Sequence, residues 1–476
     1  MVNYHETLLT EGNRIPPKTF MAVEREIVHV PAQGIGINIT LDGQAKGCYP
    51  EDEAGWQALL SHLAALSPNW LCITLPAQEV LTEEGALRTE APELGQLDRF
   101  CKWACERQAD VVLMFPKSVP AWMRFQGAAS QPPAPRDPDA YGEMVAEAMR
   151  HFVVERGYRC LKYSTIFGEP FNEDGEEFSF GTPSGIDPYA YYVKVHAAVR
   201  AALDRRGLES VGLLGPNSAD VYAHLETFKR ADARQLDITA HTAAIDLHAY
   251  RMRFDYMPSS HHIFTCGLTE YLEVHLRQTL ARAEALGKPC FITELGCMYY
   301  GKSRYGDNRG PARHECFIAE AELILRSLNM GIDGILKWVL LFDTTELRGH
   351  YHLLELSGGG YLRKDNFHGY SLLNRCMPKG SKILELKTEG QGAGVYASAV
   401  ESPDGDLSIM IVNEHPCNLV DVEIQPGQAF GSRGFSSWVV DAWDKGLCKG
   451  GVARKDGRLG LRLTPLSLTV VTTMSL

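Results

Sequence analysis

Residues 269–296 read TEYLEVHLRQTLARAEALGKPCFITELG, and this stretch joins the two patterns that decide the fold. Thr269 opens a helical segment that Gly287 closes, glycine being the residue that most easily takes the turn at a helix end. Pro289 then starts the run Cys290-Phe291-Ile292-Thr293-Glu294, apolar almost to its end. A nearly continuous apolar strand is covered on both faces, as in a parallel sheet flanked by helices.

Working outward, the same strand-and-helix unit recurs eight times. The predicted strands are Gly34 to Ile39, Trp70 to Leu75, Asp110 to Phe115, Leu161 to Phe167, Val211 to Leu214, Ala244 to Tyr250, Pro289 to Glu294 and Gly334 to Phe342. Between the fourth and fifth, Asp187-Pro188 starts a helix that Gly207 ends, with Tyr191, Val195, Ala198 and Ala202 on one stripe. Eight alternating units predict an α/β fold, a (β/α)₈ TIM barrel, which takes about 250 residues or more with insertions. The 476 residues leave room for a second domain. After about residue 380 short strand-like segments alternate with turns: Gly394 to Val400, Leu407 to Val412, Leu419 to Ile424, Ser436 to Val440 and Leu466 to Thr472. They predict an additional all-β sandwich. The expected organisation is an N-terminal segment over 1–30 that joins the sandwich through Glu26 to Val30, a barrel over 31–370 and the sandwich over 371–476.

Composition narrows the function. Hydrophobic residues at 45% and charged residues at 22% are an ordinary globular mixture, which excludes disordered and fibrous classes. A net charge of −12 offers no field for a phosphate backbone, so no nucleic-acid partner is expected. No run of about 18 apolar residues predicts a membrane span, and Met1 to Phe20 is too polar for a signal peptide, so a cytoplasmic location is expected. The twelve cysteines are scattered, as in a reducing compartment, without a Cys-x-x-Cys pair. Cys101 and Cys105 share a helix face, but two thiols make no metal site, and none is expected. His314-Glu315 lacks the second histidine of a zinc-protease helix, and no glycine-rich phosphate loop follows a strand, so the reading calls for no cofactor.

Barrel sites form where strands end. Two carboxylates stand there: Glu169, in Ile166-Phe167-Gly168-Glu169-Pro170 after the fourth strand, and Glu294 at the end of the seventh. A closed barrel brings both ends to one mouth, where a pair of carboxylates can straddle a glycosidic bond, one as acid and the other as nucleophile or base. Glu173, followed by Asp174, Glu176 and Glu177, is the rival acid, its neighbours reading as a solvated acidic loop. Trp122, Tyr299, Tyr300 and Trp338 are aromatic faces a sugar could stack on, or simply core.

These motifs resemble those of clan A glycoside hydrolases: a turn like Asn-Glu-Pro at Gly168-Glu169-Pro170, a Thr-Glu-x-Gly end at Thr293-Glu294-Leu295-Gly296, and a tryptophan, Trp338, on the eighth strand. The resemblance spans the barrel. It implies that Glu169 is the acid/base and Glu294 the nucleophile of a retaining hydrolase of β-glycosides, with a carbohydrate as its partner. It further implies that His248-Ala249-Tyr250 is the His-x-Tyr beside the nucleophile and that Trp338 floors the sugar subsite; Gly369 to Arg375 resembles the leader into the attached sandwich. Two positions depart from the pattern. Gly168 stands where the family has an asparagine that contacts the sugar 2-hydroxyl, a contact left to Asn172, Asn217 or His248, and Cys72 stands where an arginine is common. The reading favours exo action on oligosaccharides or glycosides. A carbohydrate-binding barrel without turnover and an endo-acting depolymerase are its alternatives.

Overall fold

The computed structural model describes residues 17–45, 47–115, 119–125, 134–171, 181–219, 221–254, 269–300, 312–342, 352–390, 394–442 and 446–476. Strand β1 (Lys18–His29) comes first, followed by eight strands: β2 (Gly34–Thr40), β3 (Trp70–Thr74), β4 (Asp110–Met114), β5 (Leu161–Thr165), β6 (Gly212–Ser218), β7 (Ala244–Phe254), β8 (Cys290–Tyr300) and β9 (Gly334–Lys337). These eight pair in parallel, each with the next and β9 with β2, closing a barrel. The fold is the TIM barrel with an added β domain.

Inward-facing residues fill the barrel by pairing large with small. Trp70, Cys72, Val112, Met114, Leu214, Ala244, Phe291 and Leu336 form one buried cluster against Tyr163. The Trp70 ring meets Phe291 at 5.3 Å between centroids. It fits because its neighbours are glycines: a Cβ at Gly36 would lie 2.2 Å from the Trp70 carbonyl oxygen, and one at Gly334 would lie 2.8 Å from the ring. A side chain there would overpack the floor.

Strand starts fall within a residue of those read from sequence, whereas the ends differ. β7 and β8 continue past Tyr250 and Glu294 because they go on pairing with each other as far as Phe254↔Tyr300. The last barrel strand stops at Lys337, short of Phe342. The helix signals hold: Asp187 caps Pro188–Arg205 by accepting from the Tyr189 and Ala190 backbone N–H groups at 3.0 Å. Gly207 and Gly287 follow their helices at φ of +70° and +63°.

Two short strands, β10 (Leu354–Ser357) and β11 (Gly360–Arg363), pair as a hairpin. Beyond them come β12 (Lys382–Gly390), β13 (Val395–Glu401), β14 (Leu407–Asn413), β15 (Val420–Gln425), β16 (Ser436–Asp441), β17 (Cys448–Gly450), β18 (Ala453–Lys455), β19 (Arg458–Leu463) and β20 (Ser467–Thr472). With β1 they make one ten-stranded sheet in the order β17-β16-β20-β14-β13-β12-β1-β15-β19-β18. β1 runs antiparallel to β12 and parallel to β15. Met21 of β1, Leu384, Ile409, Ile424, Leu461 and Val471 share one core. Strands near both ends of the order thus meet, so the sheet curls over itself like a sandwich.

The chain divides into two compact units whose boundary differs from a single cut after residue 370. The barrel unit takes Ala32–Gly301 and Ile332–Lys364, and the sheet unit takes Met1–Pro31, Lys302–Gly331 and Asp365–Leu476. Helix Ala312–Met330 falls in the sheet unit because it packs there. Arg326 lies 4.1 Å over the Tyr396 ring and Asn329 Nδ2 donates to the Ala397 carbonyl at 2.9 Å. Gly369 to Arg375 lies within a helix, Asp365–Cys376, whose Tyr370 hydroxyl donates to Glu320 at 2.7 Å. No helix among the described residues is long and apolar enough to cross a membrane. A third thiol, Cys160, lies beside Cys101 and Cys105: it donates to the Cys101 carbonyl at 3.4 Å, and the neighbouring thiols, Cys101 first, pull it down to about 7 against the effect of burial.

Candidate active site

Two irregularities in the barrel ladder build the mouth. Between β6 and β7 the register passes from Pro216↔Asp246 to Ser218↔Leu247, leaving Asn217 as an extra residue. Between β7 and β8 it passes from Leu247↔Ile292 to His248↔Glu294, leaving Thr293 extra. Such bulges re-aim side chains. Here they allow Thr293 and Glu294 to act successively at the mouth, and they turn Asn217 toward Asp246.

Asp246 and His248 lie two apart on β7 and so project from the same strand face. Asp246 is wholly buried. Its Oδ1 accepts from the Asn217 backbone N–H at 2.9 Å, and its Oδ2 accepts from Asn217 Nδ2 at 2.7 Å and Thr293 Oγ1 at 3.2 Å. Burial raises the Asp246 carboxyl above its ordinary value, opposed by the Asn217 bonds and the nearby His248 charge. The Thr293 carbonyl accepts from Asn38 Nδ2 at 2.9 Å.

Glu169 follows β5 in a turn pinned on both sides. Phe167 stacks on Tyr141 at 5.7 Å, and the Tyr141 hydroxyl donates to the Ile166 carbonyl at 2.9 Å. Phe171 stacks on Tyr189 at 5.3 Å. Between these anchors Glu169 holds a φ of +50°, left-handed although not glycine and followed by Pro170. Conformations of this kind cost about 1–3 kcal/mol and persist where surroundings impose them. The imposing contact is Asn217 Oδ1, which accepts the Glu169 backbone N–H at 3.1 Å. Asn217 is itself left-handed, at φ +52°.

The two carboxylates meet at His248. Its Nδ1 lies 2.9 Å from Glu169 Oε1 and 3.3 Å from Glu294 Oε2. The Tyr250 hydroxyl donates to Glu294 Oε2 at 2.6 Å. Glu169 keeps 43% of its side chain exposed and Glu294 only 10%. Burial works against charge on His248, but the Glu294 carboxylate, the hydrogen bond and charge of Glu169 and the Asp246 carboxylate outweigh it and lift the imidazole to about 9. The histidine is therefore a cation at neutral pH, and its ring Nδ1–H is a donor. Trp338 packs with Val339, Phe342 and Tyr250 beside this group.

Among the described residues, Glu169, His248 and Glu294 are the one set of ligand-type groups gathered within 4.8 Å of one another. A metal binds the neutral imidazole and would have to displace the Nδ1 proton from between the two carboxylates. Electrostatically the set is two acceptors around one shared cation.

Other residues singled out from sequence fall elsewhere. Asn217 is 1% exposed and its amide is committed to Glu169, Asp246 and Thr293, so it is not open to a sugar. His248 is likewise wholly buried. Trp122 lines a depression of about 620 Å³ with Met123, Arg136 and Glu147, and that lining includes neither Glu169 nor Glu294. Cys72 belongs to the apolar floor; the residue at the mouth end of β3 is Thr74. Asn172 and Glu173 lie outside the described residues, and Tyr300 lies in β8 with its side chain outside them. Sequence reasoning passed over Asp246, although an aspartate inside the apolar run Ala244-Ile245-Asp246-Leu247 was the available signal.

No protein-family model matches the chain, and no curated protein matches it. Solved structures do. The catalytic domain of GH30 xylanase C from Talaromyces cellulolyticus superposes with a TM-score of 0.68 at 12% identity, covering 96% of this chain and 100% of that one. A GH30 endoxylanase from Clostridium papyrosolvens gives 0.66 at 14%, covering 95% and 99%. The GH51 arabinofuranosidase from Xanthomonas axonopodis pv. citri gives 0.64 at 10%, covering 96% and 100%. The likeness is one of fold: the chain has the barrel-and-β-domain architecture of these clan A glycoside hydrolases.

Proposed function

We propose that the chain is a retaining glycoside hydrolase that cleaves a β-glycosidic bond by double displacement. One observation carries this reading: oxygens of Glu169 and Glu294 lie within 4.8 Å of each other across the barrel mouth. Retaining enzymes hold their carboxyl groups about 5–5.5 Å apart, whereas inversion needs about 6.5–9.5 Å to admit a water. The xylanase and arabinofuranosidase relatives in fold lend support.

In the first half Glu294 attacks the anomeric carbon, the bond to the leaving oxygen breaks, and Glu169 delivers a proton to that oxygen. At rest that proton lies on His248 Nδ1, 2.9 Å from Glu169 Oε1; it moves onto Glu169 before delivery, and the proton that Glu169 later takes from water passes back to His248. In the second half Glu169 takes a proton from water, the hydroxide oxygen bonds to the anomeric carbon, and Glu294 leaves. Tyr250 donates to the Glu294 carboxylate before it attacks and again as it leaves. No cofactor enters. The depth of Glu294 favours a chain end over a continuous polymer, so we read the enzyme as exo-acting on oligosaccharides or glycosides.

The test is hydrolysis of aryl β-D-xylosides, β-D-glucosides and α-L-arabinofuranosides, with 2-acetamido and uronic analogues, by the wild type and Glu294→Gln. Turnover by the wild type that falls by roughly 10⁴-fold or more in the variant is the expected result. Sugar binding without turnover across the panel would replace the reading with a binding barrel, and release of internal fragments from xylan with no aryl-glycoside turnover would replace exo with endo action.

A further inference from the structure

We propose that Asp246 is the positioning residue of this site, placing Glu169 through Asn217 and Glu294 through Thr293. The proposal rests on the hydrolase reading only for its catalytic consequence.

A carboxylate buried completely in a central parallel strand is expensive, and an apolar residue would pack there without penalty. Asp246 offsets the cost by filling its acceptor sites with three donors on two bulges: the Asn217 backbone N–H, Asn217 Nδ2 and Thr293 Oγ1. Each recipient leads directly to one catalytic carboxylate. Thr293 precedes Glu294 in the chain, and Asn217 Oδ1 accepts the Glu169 backbone N–H.

The chemistry also fixes a direction. An asparagine amide has two faces, a donor and an acceptor, that occupy nearly the same space. Both Asp246 oxygens accept, Oδ1 from the Asn217 backbone and Oδ2 from its Nδ2, so Asp246 draws the NH₂ end of Asn217 toward itself and turns the carbonyl end toward Glu169. With the amide reversed, an NH₂ group would face the Glu169 N–H, and the left-handed turn that aims Glu169 would lose the contact that imposes it. Asp246 thus acts on both carboxylates while touching neither a reacting atom nor the mouth.

Four variants test this: Asn217→Ala, Thr293→Val, Asp246→Asn, and the exchange Asp246→Asn with Asn217→Asp. The exchange restores a donor–acceptor pair with its sense reversed and still offers the Glu169 N–H a carboxylate acceptor. Phenyl and 2,4-dinitrophenyl glycosides of the sugar that the wild type prefers are the probes, since the second leaving group needs no proton. Asn217→Ala should lower kcat/KM for the phenyl glycoside by about 10²-fold, an acid/base-sized effect, and barely alter it for the dinitrophenyl glycoside. Thr293→Val should lower both alike. Asp246→Asn should combine the two losses, and the exchange should recover the phenyl-specific part.

An exchange no better than Asp246→Asn alone, or an Asn217→Ala loss independent of leaving group, would overturn the proposal. If Asp246→Asn fails to fold, Asn217→Ala decides, and its crystal structure should show Glu169 out of the left-handed region. That readout needs no turnover: a silent wild type with Glu169 displaced refutes the hydrolase reading alone, whereas Glu169 unmoved in the variant refutes the positioning role.

Discussion

The turn after β5 and the seventh strand of the barrel, β8, each present one carboxylate to the same histidine, but they hold it in opposite ways. Glu294 sits within a strand that continues to Tyr300, one residue past a bulge, with its hydroxyl partner on the adjacent strand and 10% of its side chain exposed. Glu169 sits beyond the end of its strand in a left-handed turn, 43% exposed, with its backbone rather than its carboxylate tied to Asn217. Under the mechanism proposed above, two demands explain the difference. A nucleophile must hold one line of attack, which the ladder and the short hydrogen bond from Tyr250 secure. An acid/base must exchange protons with a leaving group and with water, which requires exposure, so its aim is fixed through the main chain.

Predictions follow from that contrast, the largest first. Glu169→Gln should lower kcat/KM by about 10²–10⁴-fold for phenyl glycosides and much less for 2,4-dinitrophenyl glycosides; steady-state kinetics across leaving groups measures it. Equal losses would make Glu169 something other than the acid. Tyr250→Phe removes a hydrogen bond to a charged acceptor, worth about 1.5–3 kcal/mol, so kcat/KM should fall roughly 10- to 100-fold for both leaving groups. A leaving-group dependence there would erase the distinction between the two regions.

The last effect is on stability rather than on rate, and it concerns the cation they share. The His248 imidazole stands at about 9 in the folded protein against an ordinary 6.5. Because the folded value is raised, the stability it contributes is complete below about 6.5 and is lost as pH rises to about 9, on the order of 3 kcal/mol in all. Thermal unfolding should show the wild-type Tm falling across that window and His248→Gln losing this slope. An unchanged slope would mean that the histidine is not held charged between the carboxylates.

Much of this arrangement is legible in the sequence, and the rest is not for identifiable reasons. The barrel strands stand out because both of their faces are apolar, and Glu169 and Glu294 stand out because they interrupt or follow such runs. The bulges at Asn217 and Thr293 leave no mark, since one extra residue in a ladder is a property of pairing rather than of composition. Asn217 therefore reads as a free polar side chain near a mouth, when its buried amide serves the backbone of Glu169. Helix Asp365–Cys376 reads as a leader because its length and end signals are modest, and β17 and β18 are only three residues each. Membership of helix Ala312–Met330 in the sheet unit depends on contacts far apart in the chain.

The spacing of the two carboxylates is the centre of the account, and stereochemistry tests it most directly. Proton NMR of an aryl β-glycoside during its first minutes of hydrolysis distinguishes the anomers before they interconvert. With Glu294 as nucleophile the β-anomer of the released sugar should appear first, and the α-anomer should grow in later by mutarotation. First appearance of the α-anomer would mean inversion, with water rather than Glu294 attacking the anomeric carbon, and would contradict that assignment.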